Sequence, residues 1–292
     1  MNFGPAILLL ALAWPQDASV REVKDLAYVT GADADDRKEK LDLFLPEKKE
    51  KFPVLMWIHG GGWAIGDRKW YAALGHRFAE QGIGCAVISY RLSPGVKHPE
   101  HIKDCARAFA WLHGHVKEYG GDPDRLFVSG QSAGGHLTAL LALNRKYLED
   151  LKVPEEAIKG IIPMSGIYQI LPFKTEAPGT GLIRNAFGDD EKLCEDASPT
   201  HFVKNAKAPM LVITEADAKG GGQGVPESFF VRSSTAVFKT ALEQSGFKDV
   251  TFMDAKDRNH VTIVMDLMKK GDDFVREAMV QFIRKRCQDL DR

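Results

Sequence analysis

A chain of 292 residues, 44% hydrophobic and 27% charged, has the composition of an ordinary globular protein with room for one sizeable core. A net charge of −1 and the lack of any long Lys/Arg tract exclude a nucleic-acid partner held by bulk charge. Past the first residues no stretch is long and apolar enough to cross a bilayer, so no membrane span is expected. The chain starts with an apolar run at 5–13 that ends in Ala11-Leu12-Ala13, small residues of the kind a signal peptidase accepts. Residues 1–13 are expected to be a signal peptide and the protein to be secreted or periplasmic, although Met1-Asn2-Phe3 carries no Lys or Arg.

Two strands follow at 23–29 and 38–45, the second alternating through Leu41, Leu43 and Leu45. The polar turn between them holds Asp33, Asp35 and Asp36. It lacks the Gly and distal Glu of a calcium loop and reads as a solvated hairpin turn. An apolar run at 53–58 is broken by His59-Gly60-Gly61-Gly62-Trp63, and a further strand is predicted at 83–89. A helix is predicted at 100–119, with Ile102, Cys105, Ala106, Phe109 and Leu112 on one face. His98, His101, His113 and His115 fall on or before it, among polar neighbours that suggest solvent exposure and no metal site.

The strand predicted at 126–129 runs into Gly130-Gln131-Ser132-Ala133-Gly134, and a helix at 136–143 follows at once. A serine at the apex of so sharp a strand–turn–helix takes a strained backbone, and glycines on either side let strand and helix pass closely. Strands at 158–164, 209–214 and 250–253 alternate with helices at 233–244 and 272–287. Alternation of this kind predicts an α/β fold: a mostly parallel central sheet, helices on both faces, ligand at the strands' carboxyl ends. The weakly patterned interval 165–200 is either a small lid or a surface loop. The Gly-rich stretch 219–224 lacks the Gly-Lys-Ser/Thr of a phosphate loop and suits a flap near the site. Cys85, Cys105, Cys194 and Cys287 show no Cys-x-x-Cys spacing, so neither a metal nor a redox cofactor is expected, while a disulfide in an exported chain stays open.

Together the His-Gly-Gly-Gly-Trp loop and the Gly-x-Ser-x-Gly turn, each after a strand, resemble an α/β-hydrolase of the carboxylesterase kind. The similarity is to the hormone-sensitive-lipase and feruloyl/acetyl-esterase-like groups and spans residues 23–287, with 165–200 as the lid-like insertion. It implies a serine hydrolase acting on a small-molecule or carbohydrate-linked ester, with Ser132 as nucleophile. In these folds the triad runs serine, acid, histidine. Of the histidines after Ser132, His136 lies one helical turn on and His201 follows a predicted helix start, which leaves His260 as the base. The resemblance implies Asp217, just past the strand at 209–214, as the orienting acid, with Glu215 and Glu227 as alternatives. It also implies an oxyanion hole of the N–H groups of Gly61, Gly62 and Ala133. His59 is expected to brace the glycine loop. Trp63 and Tyr90 are candidates for the substrate pocket, with packing of the loop equally open for Trp63. An amidase of the arylformamidase kind and a non-catalytic binding protein on the same scaffold are the alternatives.

Overall fold

The computed structural model describes residues 19–32, 34–170, 180–216 and 226–292. The signal peptide expected at 1–13, Asp33, Asp217 and the Gly-rich stretch therefore lie outside the described residues. The strands are β1 (Val20–Ala27), β2 (Lys40–Pro46), β3 (Phe52–Ile58), β4 (Gly84–Ile88), β5 (Gly121–Gln131), β6 (Ile158–Met164), β7 (Met210–Glu215) and β8 (Val250–Ala255). They form one sheet in the order β1-β2-β4-β3-β5-β6-β7-β8. β1 and β2 pair antiparallel at one edge, and every pair from β4 to β8 is parallel.

β3 shows why the sheet lies in the middle. All seven of its residues are buried. Val54, Met56 and Ile58 face one apolar layer, and Leu55 and Trp57 face the other. A strand covered on both faces reads as a continuous apolar run, because the pleat sends alternate side chains to two cores. One layer is closed by α2 (Glu100–His115), α3 (Ala133–Leu143) and α7 (Pro226–Ser245) through Phe109, Leu140 and Phe238. The other is closed by α1 (Ala72–Glu80) and α9 (Phe274–Leu290) through Phe78 and Ile283. This is the α/β-hydrolase architecture. α3 is buried along its whole length, so it is apolar all round rather than amphipathic. The remaining short helices are α4 (Lys146–Glu149), α5 (Thr180–Phe187), α6 (Glu191–Asp196) and α8 (Thr262–Met265).

α1 has no counterpart among the predicted elements. Its Gly75 hides it, because glycine weakens a helical pattern. The structure shows the reason for that glycine: a Cβ there would stand 2.2 Å from the ring of Phe44 on β2. The predicted helix at 100–119 ends as an α-helix at His115 and continues as one 3-10 turn to Tyr119. The exposure expected for His98 and His101 is wrong. They are 4% and 1% exposed. Their polar neighbours misled because each ring is paired with a group that only folding brings to it, His98 Nε2 with Asp196 Oδ2 at 2.9 Å and His101 Nε2 with Ser93 Oγ, on the preceding loop, at 3.0 Å.

Candidate active site

β3 and β5 are neighbours, with Ile58 opposite Gly130, so both glycine motifs leave the sheet side by side at its carboxyl edge. Ser132 joins β5 to α3 with φ 58° and ψ −120°. A non-glycine residue held there costs about 1–3 kcal/mol of backbone strain. Its N–H donates to Met164 O at 2.9 Å, and its carbonyl accepts from His136 N at 3.0 Å. The glycines are required by contact: a Cβ on Gly134 would meet Ile58 O at 2.0 Å, and one on Gly130 would meet it at 2.5 Å. The turn therefore lies flat on β3 and leaves the serine partly exposed.

The loop after β3 carries three consecutive residues of positive φ, Gly61 at 110°, Gly62 at 59° and Trp63 at 58°. It lies against the serine turn, since a Cβ on Gly60 would stand 3.3 Å from Ser132 Cβ. Ala64 and Ile65 both donate to Gly61 O, at 3.1 and 3.0 Å, closing the loop into a tight turn. Its N–H groups at Gly61 and Gly62 have no acceptor among the described residues, and neither has that of Ala133, the first residue of α3. Three N–H donors without an acceptor among the described residues are what a negatively charged oxygen beside the serine requires.

The loop is braced from below. The His59 ring is fully buried, its Nδ1–H donates to Gly60 O at 2.7 Å, and it stacks on Tyr90 at 4.4 Å between ring centres. Burial lowers its pKa to about 4, so the ring stays neutral. Tyr90 is fully buried and its hydroxyl donates to His59 O at 3.2 Å. Trp63 is also buried, with its indole N–H donating to His136 Nδ1 at 3.2 Å, while His136 Nε2–H donates to Ala197 O at 2.7 Å. The observed contacts of Trp63 and Tyr90 are those of loop packing. Desolvation holds His136 down at about 3.

The other side of the site comes from β6, β7 and β8. His260 lies in the loop between β8 and α8. Arg258 pins that loop through ion pairs to Asp266 and Asp273, both at 3.0 Å, and Asn259 Oδ1 accepts from Thr262 N at 2.8 Å. His260 Nδ1 stands 3.1 Å from Glu215 Oε1 at the end of β7. A carboxylate only accepts, so Nδ1 carries the proton and Nε2 the lone pair. Glu215 is 1% exposed. Burial pushes its pKa up, but the hydrogen bonds of His260 and Ser165 outweigh that and hold it below the usual carboxylate value. Glu215 is thus the described carboxylate paired with His260. Asp217 and the side chain of Glu227 are outside the described residues.

Two further polar residues join the site, neither of them anticipated from sequence. Ser165, buried at φ 48° just past β6, donates its hydroxyl to Glu215 Oε2 and its N–H to Ile213 O at 2.8 Å. Gln131 donates through Nε2 to His260 O at 2.9 Å. The sequence signal for Ser165 was available: Ser-Gly directly after an apolar strand marks a chain turning at the same sheet edge as Ser132. Among the described residues no group of His, Cys, Asp and Glu side chains could hold a metal ion, and no helix is long and apolar enough to cross a membrane. All four cysteines are buried, and none forms a disulfide among the described residues.

Comparison with known proteins places the chain among esterases of this fold. The chain is 28% identical, over 84% of its length, to "Probable isoprenylcysteine alpha-carbonyl methylesterase ICMEL1" of Oryza sativa subsp. japonica. It is 30% identical, again over 84% of its length, to "Esterase LipQ" of Mycobacterium tuberculosis. It spans only 60% and 58% of those two proteins. In structure it is similar to the C6-C4 SN3-inhibited esterase B of Lactobacillus rhamnosis, with a TM-score of 0.74 at 20% identity, covering 93% of this chain and 89% of that one. The BD-FAE family matches residues 41–219, which carry both the glycine loop and the serine turn, and the chain belongs to that family of α/β-hydrolases.

Proposed function

We propose that the protein is a serine carboxylesterase that works through an acyl-enzyme. Ser132 Oγ attacks the ester carbonyl and His260 Nε2 takes its proton, while Glu215 holds Nδ1–H and stabilises the imidazolium. The N–H groups of Gly61, Gly62 and Ala133 receive the negative charge on the carbonyl oxygen. His260 then protonates the leaving alcohol, and water repeats the sequence on the acyl-enzyme. The observation that carries this reading is the strained Ser132 turn laid against three N–H donors without an acceptor among the described residues. The Glu215–His260 pair at the same sheet edge supports it. In this reading Glu215, rather than Asp217, is the orienting acid.

The substrate is proposed to carry an apolar group. Ile65 beside Gly61, Leu182 against Gly62 and Val261 next to His260 are 61%, 44% and 64% exposed. Leu182 sits on α5 inside the interval 165–200, which supports a lid role for that interval. The relatives' names, a methylesterase and an esterase, fit an ester of this kind. Residues 1–13 are proposed to direct export, which N-terminal sequencing of protein recovered outside the cytoplasm would check.

The test is hydrolysis of p-nitrophenyl butyrate by the wild type and by Ser132→Ala. Turnover by the wild type, lowered about ten-thousand-fold or more in the variant, is expected. A folded wild-type preparation that turns over no short-chain ester sinks the proposal. Cleavage of N-formyl amides far above that of esters replaces it with the amidase alternative.

A further inference from the structure

Gln131 stands between Gly130 and Ser132, is 5% exposed, and reaches across to the histidine loop. Its amide nitrogen lies 2.9 Å from His260 O and 3.2 Å from His260 Nε2. A backbone carbonyl can only accept, so the nitrogen end of the carboxamide must face the loop. This leaves its oxygen beside Gly60, where a Cβ would meet it at 2.8 Å. The amide has two hydrogens, and they match the two acceptors in front of it.

We propose that Gln131 is a positioning residue that sets the tautomer and basicity of His260 from the serine side, opposite Glu215. This rests on the esterase reading above. With one N–H on the carbonyl of His260, the chain segment carrying the base is tied directly to the residue before the nucleophile. With the other N–H on Nε2, the amide holds the one lone pair of the neutral ring at rest, and it has to yield that lone pair when Ser132 donates its proton there. A protonated ring would set its Nε2–H against the amide hydrogens, so Gln131 favours the neutral imidazole while Glu215 favours the cation. These two contacts act in opposite directions on one ring. Of the other groups around it, Arg258 in the same loop is engaged by Asp266 and Asp273. β5 and α3 bring the uncharged Gln131 and Ser132, and Asp217 is outside the described residues.

The experiment compares kcat/KM against pH for p-nitrophenyl butyrate in the wild type, Gln131→Met and Gln131→Glu. Met keeps the length and removes both donors, and Glu adds a negative charge beside the ring. The acid limb is expected to move up by about one pH unit in Gln131→Met, about tenfold in activity on that limb, and further in Gln131→Glu. Rates at the alkaline plateau should change less. Nitrogen-15 spectra of histidine-labelled wild type should show His260 with its proton on Nδ1, a measurement that needs neither a folded variant nor an ester substrate. A uniform loss at every pH, an unmoved acid limb, or an Nε2–H tautomer in the wild type overturns the assignment. The esterase reading is judged separately, by Ser132→Ala.

Discussion

On the β3/β5 side of the site the backbone is the machinery, whereas on the β7/β8 side it only carries side chains to a meeting point. The serine turn and the glycine loop occupy short stretches in which nearly every residue is held by direct contact. A Cβ on Gly134 would overlap the carbonyl of Ile58, and Trp63 keeps φ 58° under a buried indole hydrogen bond. Glu215, Ser165 and His260 come instead from the ends of three strands and share only hydrogen bonds. The first half tolerates almost no change of shape. The second tolerates shape changes but not a loss of charge or of a proton partner.

Exchanging the carboxylate separates the halves most sharply. Glu215→Gln should lower kcat by about a thousand-fold or more with little change in stability, since an amide can present the wrong tautomer to His260. Asp217→Asn should leave kcat within about tenfold. A larger loss in Asp217→Asn than in Glu215→Gln would exchange their roles.

Gly134→Ala attacks the other half, and there the effect should appear as stability. With a Cβ 2.0 Å from a backbone oxygen, the strand and helix must separate, a loss of about 3 kcal/mol or more in urea unfolding, together with activity. A variant as stable as the wild type would show that the turn is softer than its contacts suggest.

Acid should also act on the backbone-built half. His59 and His136 brace the loop with folded-state pKa values of about 4 and about 3, below the ordinary 6.5. The unfolded chain therefore binds more protons in that window. The stability these neutral rings represent is whole above pH 6.5 and is lost as the pH falls toward 4, by about 1.4 kcal/mol per pH unit for each ring. Urea midpoints measured from pH 7 to 4.5 check this, and a flat profile contradicts it. Smallest of all, Ser165→Ala removes one hydrogen bond to Glu215 and should lower kcat by about fivefold while leaving KM alone.

The same division explains what could be read in advance. The two glycine motifs, the buried runs of β3 and β6 and the apolar α3 are local patterns, visible because a two-sided buried strand and a flat turn admit few residue types. His260 was reachable because few histidines follow the serine. The choice between Glu215 and Asp217 was not: they stand two residues apart in sequence, and the hydrogen bond between Glu215 and His260 is a contact between two strands' ends, while Asp217 lies outside the described residues. His98 and His101 were misjudged for a related reason: their partners, Asp196 and Ser93, are named by packing. α1 was hidden by a glycine whose cause, the ring of Phe44, lies on another element.

Sequence alone set the serine turn, the glycine loop and the parallel sheet, because each depends on steric limits within a few consecutive residues. Tertiary structure decided that Glu215 meets His260 Nδ1, that Ser165 donates to Glu215 and that Gln131 faces the histidine from the other side. Those choices depend on where the ends of four strands converge, and no single segment encodes that distance.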